Sequence, residues 1–164
     1  MNDQQQNPPV IVGISGATGI VYGIETLRAL KALGQTAHLI ISEAGVRTLD
    51  LECEMSLDDL RGLADTVYSV KDIGASIASG SFKTRGMIIA PCSIKTLSGI
   101  ANSFDTNLLI RTADVTLKER RPLILMVRET PLHKGHLDLM SRAADYGAII
   151  MPPIPSPFPS PSSV

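Results

Sequence analysis

Apolar runs of about five residues alternate along this chain with amphipathic stretches of about twelve, the pattern of strand–helix units around a parallel sheet. Val10–Ile14, Ala37–Ile41, Gly86–Ala90 and Leu123–Val127 read as strands, the last two continuous enough to be buried on both faces. Ile20, Ile24, Leu27 and Leu30 recur at helical spacing, and Gly34 supplies the stop. Ser42-Glu43 opens a second helix with a candidate cap. Leu57–Ala64 reads as a short helix and Val67–Val70 as a short strand. Asn107–Glu119 and His133–Tyr146 read as helices, and Ala148–Met151 as the last strand. These elements predict an α/β fold, a three-layer, doubly wound parallel sheet in one domain over residues 9–151, after a flexible start at 1–8.

Composition turns sharply after Met151. Six of the 11 prolines fall in Pro152–Val164, and proline has no amide to donate and disfavours helix in its predecessor. That Pro/Ser-rich tail is expected to be extended or loose, with a spacing that also permits docking of the PxxP kind. Elsewhere the chain is ordinary. Fifteen Lys and Arg against 16 Asp and Glu leave no basic surplus for a nucleic-acid backbone, so no nucleic-acid partner is expected. No apolar run approaches a membrane span, and the polar start Met-Asn-Asp-Gln-Gln-Gln is unlike a signal peptide. Cys53 and Cys92, outside any CxxC and away from a histidine cluster, argue against a disulfide scaffold and a structural zinc. A cytoplasmic protein without a metal is the expectation.

In doubly wound sheets, ligands sit beyond the carboxyl ends of the strands, where loops meet helix N-termini. Four such regions carry suitable chemistry. Gly13-Ile-Ser-Gly-Ala-Thr-Gly19 lets backbone approach a ligand and adds the hydroxyls of Ser15 and Thr18. It lacks the lysine of a triphosphate loop and departs from GxGxxG, so by itself it fits a nucleotide- or flavin-holding loop or a plain tight turn. Pro91-Cys-Ser-Ile-Lys-Thr96 follows a buried strand, where Ser93 and Thr96 fit an anion site or a simple capped helix with Lys95 in solvent. Ser42 reads as a cap at the end of the second strand. Arg128-Glu129 leaves a strand at its carboxyl end, with Arg111 and Lys118-Glu-Arg-Arg121 before it. Arginine forks match phosphate, and a glutamate among cations can move protons or simply pair with them. A solvated face accounts for Glu119, Arg120 and Arg121. Cys92 reads as buried filler, and His133 and His136 as surface or capping residues rather than a metal pair.

Taken together, Gly13–Gly19, Ser79-Gly-Ser-Phe82, Pro91–Ser98, Arg111–Pro122, Arg128-Glu-Thr-Pro-Leu132 and Met151-Pro-Pro153 resemble the UbiX family of flavin prenyltransferases, in order from about Val10 to Pro155. The resemblance implies a flavodoxin/Rossmann-like fold that binds FMN. It implies transfer of the dimethylallyl group of dimethylallyl phosphate to N5 and C6 of reduced FMN, without a metal. The product, prenylated FMN, would serve a UbiD-type decarboxylase. It further implies a dodecamer with active sites shared between subunits. Carried over by position, Gly16, Ala17 and Thr18 would lie against the flavin, with Thr18 standing where the family usually has serine. Ser42, Ser93, Ile94, Lys95 and Thr96 would complete the FMN pocket, and Arg128 would touch flavin and substrate. Lys118, Arg128 and Glu129 would surround the prenyl phosphate, Glu52 would handle a proton, and Arg111 would be a pocket arginine.

Chemistry supports the assignment. An allylic phosphate leaves behind a delocalised cation, so such a site needs fixed positive charge on the leaving group and protection from water. With only 4% aromatic residues, the pocket is expected to be mostly aliphatic. The sequence departs from the family pattern after Met151-Pro-Pro153. There a tyrosine and then a helix with a basic residue usually follow, whereas here Phe158 stands in the proline–serine stretch. Two charge-assisted contacts fewer would lower turnover by a factor of about 10². That departure keeps open an FMN-binding, non-prenylating accessory protein of a decarboxylase. A flavin-dependent cysteine decarboxylase of the same fold ranks last, because its catalytic histidine is not found.

Overall fold

The computed structural model describes residues 7–155. Six parallel strands form one sheet in the order β3-β2-β1-β4-β5-β6, the Rossmann order, with its reversal between β1 and β4. The strands are β1 Val10–Ile14, β2 Ala37–Ile41, β3 Thr66–Tyr68, β4 Gly86–Cys92, β5 Leu123–Val127 and β6 Ile149–Ile150. Side chains alternate between the two faces, and each face has its own core. Val12, Ile14, Leu39 and Ile41 point to one side, where α1 (Ile20–Ala32), α2 (Glu43–Glu52) and α3 (Leu57–Arg61) bring Ile20, Ile24, Leu27, Leu49 and Leu60. Ile11, Ile40, Met87, Ile89 and Leu125 point to the other, covered by α4 (Ile94–Ala101), α5 (Leu108–Lys118) and α6 (Lys134–Asp145). Three layers result, as the alternation of runs predicts.

Differences from the sequence reading lie at the ends of elements, apart from a 3-10 turn at Ser76–Ala78 that the apolar pattern does not mark. Helix α3 stops at Arg61 rather than Ala64, because Gly62 takes the C-cap and Leu63 and Ala64 close tight turns behind it. The outer strands are shorter than their apolar runs, since each pairs on one side only: β3 keeps three residues against β2, and β6 two against β5. Strand β4 runs two residues further than expected, to Cys92, which pairs with Val127 across an irregularity in register. His133 caps α6, its Nδ1 accepting the Gly135 amide at 3.0 Å, so the histidine pair is structural here. Burial pushes the Cys92 thiol up to about 12, which leaves it inert filler. Among the described residues, no helix is long and apolar enough to cross a membrane. The tail reading falls on 152–164, of which 156–164, with Phe158, lies outside the described residues.

Candidate functional site

A cleft of about 620 Å³ opens at the carboxyl edge of the sheet, beside the β1/β4 reversal. Three helices start at its wall, each with a side-chain cap. Ser42 Oγ accepts the Gly45 amide at 3.0 Å, Ser93 Oγ the Thr96 amide at 3.2 Å, and Asn107 Oδ1 the Ile110 amide at 3.0 Å. The positive ends of α2, α4 and α5 therefore face one space. Arg47, Lys71 and Lys95 add three cations to the lining against the carboxylate of Glu43. Lys71 pairs with Glu43 at 2.8 Å, and this hydrogen bond holds the Glu43 carboxyl below, and the Lys71 ammonium above, their ordinary values. Val70, Ile73 and Ile110 give the same space an apolar side. Such a cleft suits a flat, partly apolar ligand that ends in an anion.

The loops that build it are stitched together from below. Ser15 is buried; its hydroxyl donates to the Pro91 carbonyl at 2.9 Å and accepts the Ser93 amide at 2.8 Å. The Ser42 amide donates to the Ile14 carbonyl, and the Arg128 amide to the Cys92 carbonyl. Loops after β1, β2, β4 and β5 thus share one hydrogen-bonded edge.

The flavoprotein family model matches residues 1–155. The flavin prenyltransferase UbiX of Thauera aromatica is 56% identical over 155 residues, which cover 94% of this chain and 80% of that protein. This chain belongs to the UbiX flavin prenyltransferase family. Solved UbiX structures agree closely. AnUbiX (PadA1) in complex with FMN and dimethylallyl pyrophosphate superposes with a TM-score of 0.95 at 42% identity, over 97% of this chain and 85% of that one. The dodecameric FMN-dependent UbiX-like decarboxylase from Escherichia coli O157:H7 gives 0.92 at 41%, over 95% and 86%.

Of the residues that the UbiX resemblance singles out, Gly16, Ser42, Ser93, Lys95 and Thr96 meet in the lining of the cleft. Thr18 is exposed on the same glycine loop, Ala17 is buried beneath it, and Ile94 is half-buried at the start of α4. Ser15, read as a ligand hydroxyl, is instead spent inside the edge. Arg128 is half-buried at the end of β5, and Glu129 beside it is exposed, its Oε1 accepting the Thr130 amide at 3.1 Å. Arg111 lies on the first turn of α5 but pairs with Asp105 at 3.2 Å and Asp114 at 3.4 Å. Glu52 does not line the cleft; its Oε2 accepts the amides of Gly19 and Ile20. Lys118 is furthest away. Helix α5 starts at the carboxyl edge, where the Leu108 amide meets the Val70 carbonyl, and carries Lys118 about 15 Å towards the opposite edge. There Lys118 pairs with Glu119, whose carboxyl is held low by that hydrogen bond.

Sequence reading missed Arg47 and Lys71. Arg47 stands four residues after Glu43 on α2, so helical spacing from the Ser42 cap already put it on the cleft side. Lys71 follows the short strand β3, and the rule that sites gather beyond strand ends applied to it as well. Arg121, read as solvated, is a clamp: its guanidinium donates to the carbonyls of Phe82 and Gly80, both at 2.7 Å. That clamp holds the Ser79–Phe82 loop against the end of α5.

Proposed function

We propose that this chain transfers the dimethylallyl group of dimethylallyl phosphate to N5 and C6 of reduced FMN. The observation that carries this reading is the cleft itself: three capped helix N-termini and three cations around one partly apolar space. These residues fit FMN. The amides at the starts of α2 and α4, with Ser42, Ser93, Thr96 and Lys95, hold its phosphate, and Val70, Ile73 and Ile110 exclude water from its ring. Gly16, Ala17 and Thr18 would lie against the flavin, and Ile94, at the start of α4, would complete its pocket. Bound reduced FMN supplies the nucleophilic positions that accept the prenyl group. Arg128 and Glu129, at the end of β5, take the prenyl phosphate, with the guanidinium stabilising the departing dianion. That AnUbiX was solved with FMN and dimethylallyl pyrophosphate supports the same pair of ligands here.

Lys118 and Arg111 enter this scheme through assembly. Because α5 carries Lys118 away from its own cleft, a neighbouring copy is the source of the lysine that meets the prenyl phosphate. A dodecamer like that of the Escherichia coli O157:H7 neighbour provides such contacts. The product serves a UbiD-type decarboxylase. The unpaired thiols Cys53 and Cys92 suit a cytoplasmic setting.

Anaerobic incubation of the purified chain with reduced FMN and dimethylallyl phosphate, followed by mass spectrometry of the released flavin, tests the proposal. A flavin heavier by one prenyl unit is expected. Plain FMN recovered beside an active UbiX control overturns it and returns the chain to a flavin-binding accessory role.

A further inference from the structure

Helix α1 has no cap of its own. Its N-cap position is Gly19, at φ 102°, a conformation that favours glycine, and no side chain there accepts a backbone amide. The first amides are taken by a residue 33 positions away. Oε2 of Glu52, the last residue of α2, accepts the Gly19 amide at 2.9 Å and the Ile20 amide at 3.0 Å. Helix α2 also meets the other end of the same loop. A Cβ added at Gly16 would overlap the Ala44 side chain and lie 3.1 Å from the Ala44 carbonyl carbon, so backbone and helix touch directly there. The loop Gly16–Gly19 is therefore fastened to α2 at both ends, and α2 carries Ser42, Glu43 and Arg47 into the cleft. Among the described residues Glu52 forms no ion pair, so its contacts are these two amides.

We infer that Glu52 is a positioning residue for the flavin: by capping α1 from α2, it holds the Gly16–Gly19 loop against the cleft wall. The inference rests on the FMN reading of the cleft and differs from the proton-handling role that family resemblance implies. What matters for the cap is an acceptor oxygen of the right reach. Acidity is not needed. Glutamine keeps such an oxygen and loses the ionisable proton, alanine loses both, and aspartate keeps the charge on an arm one methylene shorter. A proton-handling role alone moves turnover and leaves FMN affinity unchanged in all three variants, whereas the cap moves FMN affinity wherever the acceptor oxygen is lost or falls short.

The experiment measures FMN affinity by fluorescence quenching, with melting temperature alongside, for the purified full chain and for Glu52→Gln, Glu52→Ala and Glu52→Asp. Glu52→Gln is expected to hold its FMN Kd within about twofold of the wild type, and Glu52→Ala to raise it about tenfold. In turnover with reduced FMN, the alanine defect then falls on KM. Wild-type affinity in Glu52→Ala, or a loss in Glu52→Gln as large as in Glu52→Ala, overturns the inference. If Glu52→Ala does not fold, the order of the other two decides: Glu52→Asp must bind FMN more weakly than Glu52→Gln, and the reverse order sinks the cap. A wild-type chain that takes up no FMN defeats the flavin reading itself. The cap is then judged on melting alone, where Glu52→Gln must stand above Glu52→Ala.

Discussion

The buried hydroxyl of Ser15 accepts the Ser93 amide at 2.8 Å, so the loop after β1 and the loop after β4 are one unit at the sheet's reversal point. Ser15→Ala leaves that amide without its buried acceptor beneath the cleft wall. A buried unsatisfied donor costs about 1–3 kcal/mol. Urea unfolding of Ser15→Ala is expected to show that loss, and FMN affinity should weaken with it, because Ser93 caps a helix that starts at the cleft wall. Unchanged stability in the variant would mean that the two loops hold their places independently.

Lys95 stands at the start of α4, exposed and lining the cleft. If it meets the FMN phosphate, Lys95→Met should weaken FMN binding about tenfold and leave riboflavin binding nearly unchanged. Added salt should narrow the gap between wild type and variant, since the contact is solvent-accessible. Equal losses for FMN and riboflavin would place Lys95 against the ring instead.

Much of this architecture is written locally. Strands β1, β2 and β5 have the bounds of their apolar runs, because each is paired on both sides and buried within its layer. The caps Ser42 and Ser93 are legible for a similar reason: a short polar side chain before an apolar helical stretch acts on amides two or three residues away, whereas Asn107, read as the first helical residue, is itself the cap of α5. What the sequence hides is direction over distance. Ser15 lies in a loop rich in ligand chemistry, yet its hydroxyl turns inward because Pro91, 76 residues on, offers a carbonyl at 2.9 Å. Glu52 and Arg121 likewise find their partners 32 to 41 residues away.

Arg121 gives a second test of such distant contacts. Its guanidinium spans the Phe82 and Gly80 carbonyls, two charge-assisted bonds that fix the 79–82 loop. Arg121→Met keeps the aliphatic stem and removes the fork, at an expected cost of about 1.5–3 kcal/mol in urea unfolding. Proteolysis should then begin within residues 79–82, a site that the wild type protects. A variant as stable as the wild type would restore the reading of Arg121 as a solvated charge.

His38 sets a pH dependence with a definite sign. Burial beside Tyr68 and Phe82 lowers its pKa below 6.5, against a smaller opposing pull from Asp65. Below pH 6.5 the unfolded chain binds a proton at His38 that the folded chain resists, so unfolding is favoured as pH falls through that window. Above it, both states hold the ring neutral and the contribution of His38 to stability is complete. Chemical unfolding at about pH 5 and about pH 8 should show the decline in the wild type and less of it in His38→Gln. A decline of equal size in both would assign it to other groups.

The placement of Lys118 and Arg128 at opposite edges of the sheet makes the shared site testable by mixing. Lys118 lies at the far end of α5, whereas Arg128 follows β5 at the cleft's edge. If Lys118 and Arg128 both meet the leaving phosphate, as proposed, Lys118→Ala and Arg128→Ala chains should each be nearly inactive as pure oligomers, because every site lacks one of its cations. After unfolding and refolding together in equal amounts, a site works when its Arg128 comes from one variant and its Lys118 from the other. Random assortment puts about a quarter of the sites in that state. Recovery of about a quarter of wild-type turnover is therefore expected, measured as prenylated flavin by mass spectrometry. Lys118 acting within its own chain predicts no recovery at all, since no single chain in the mixture carries both cations.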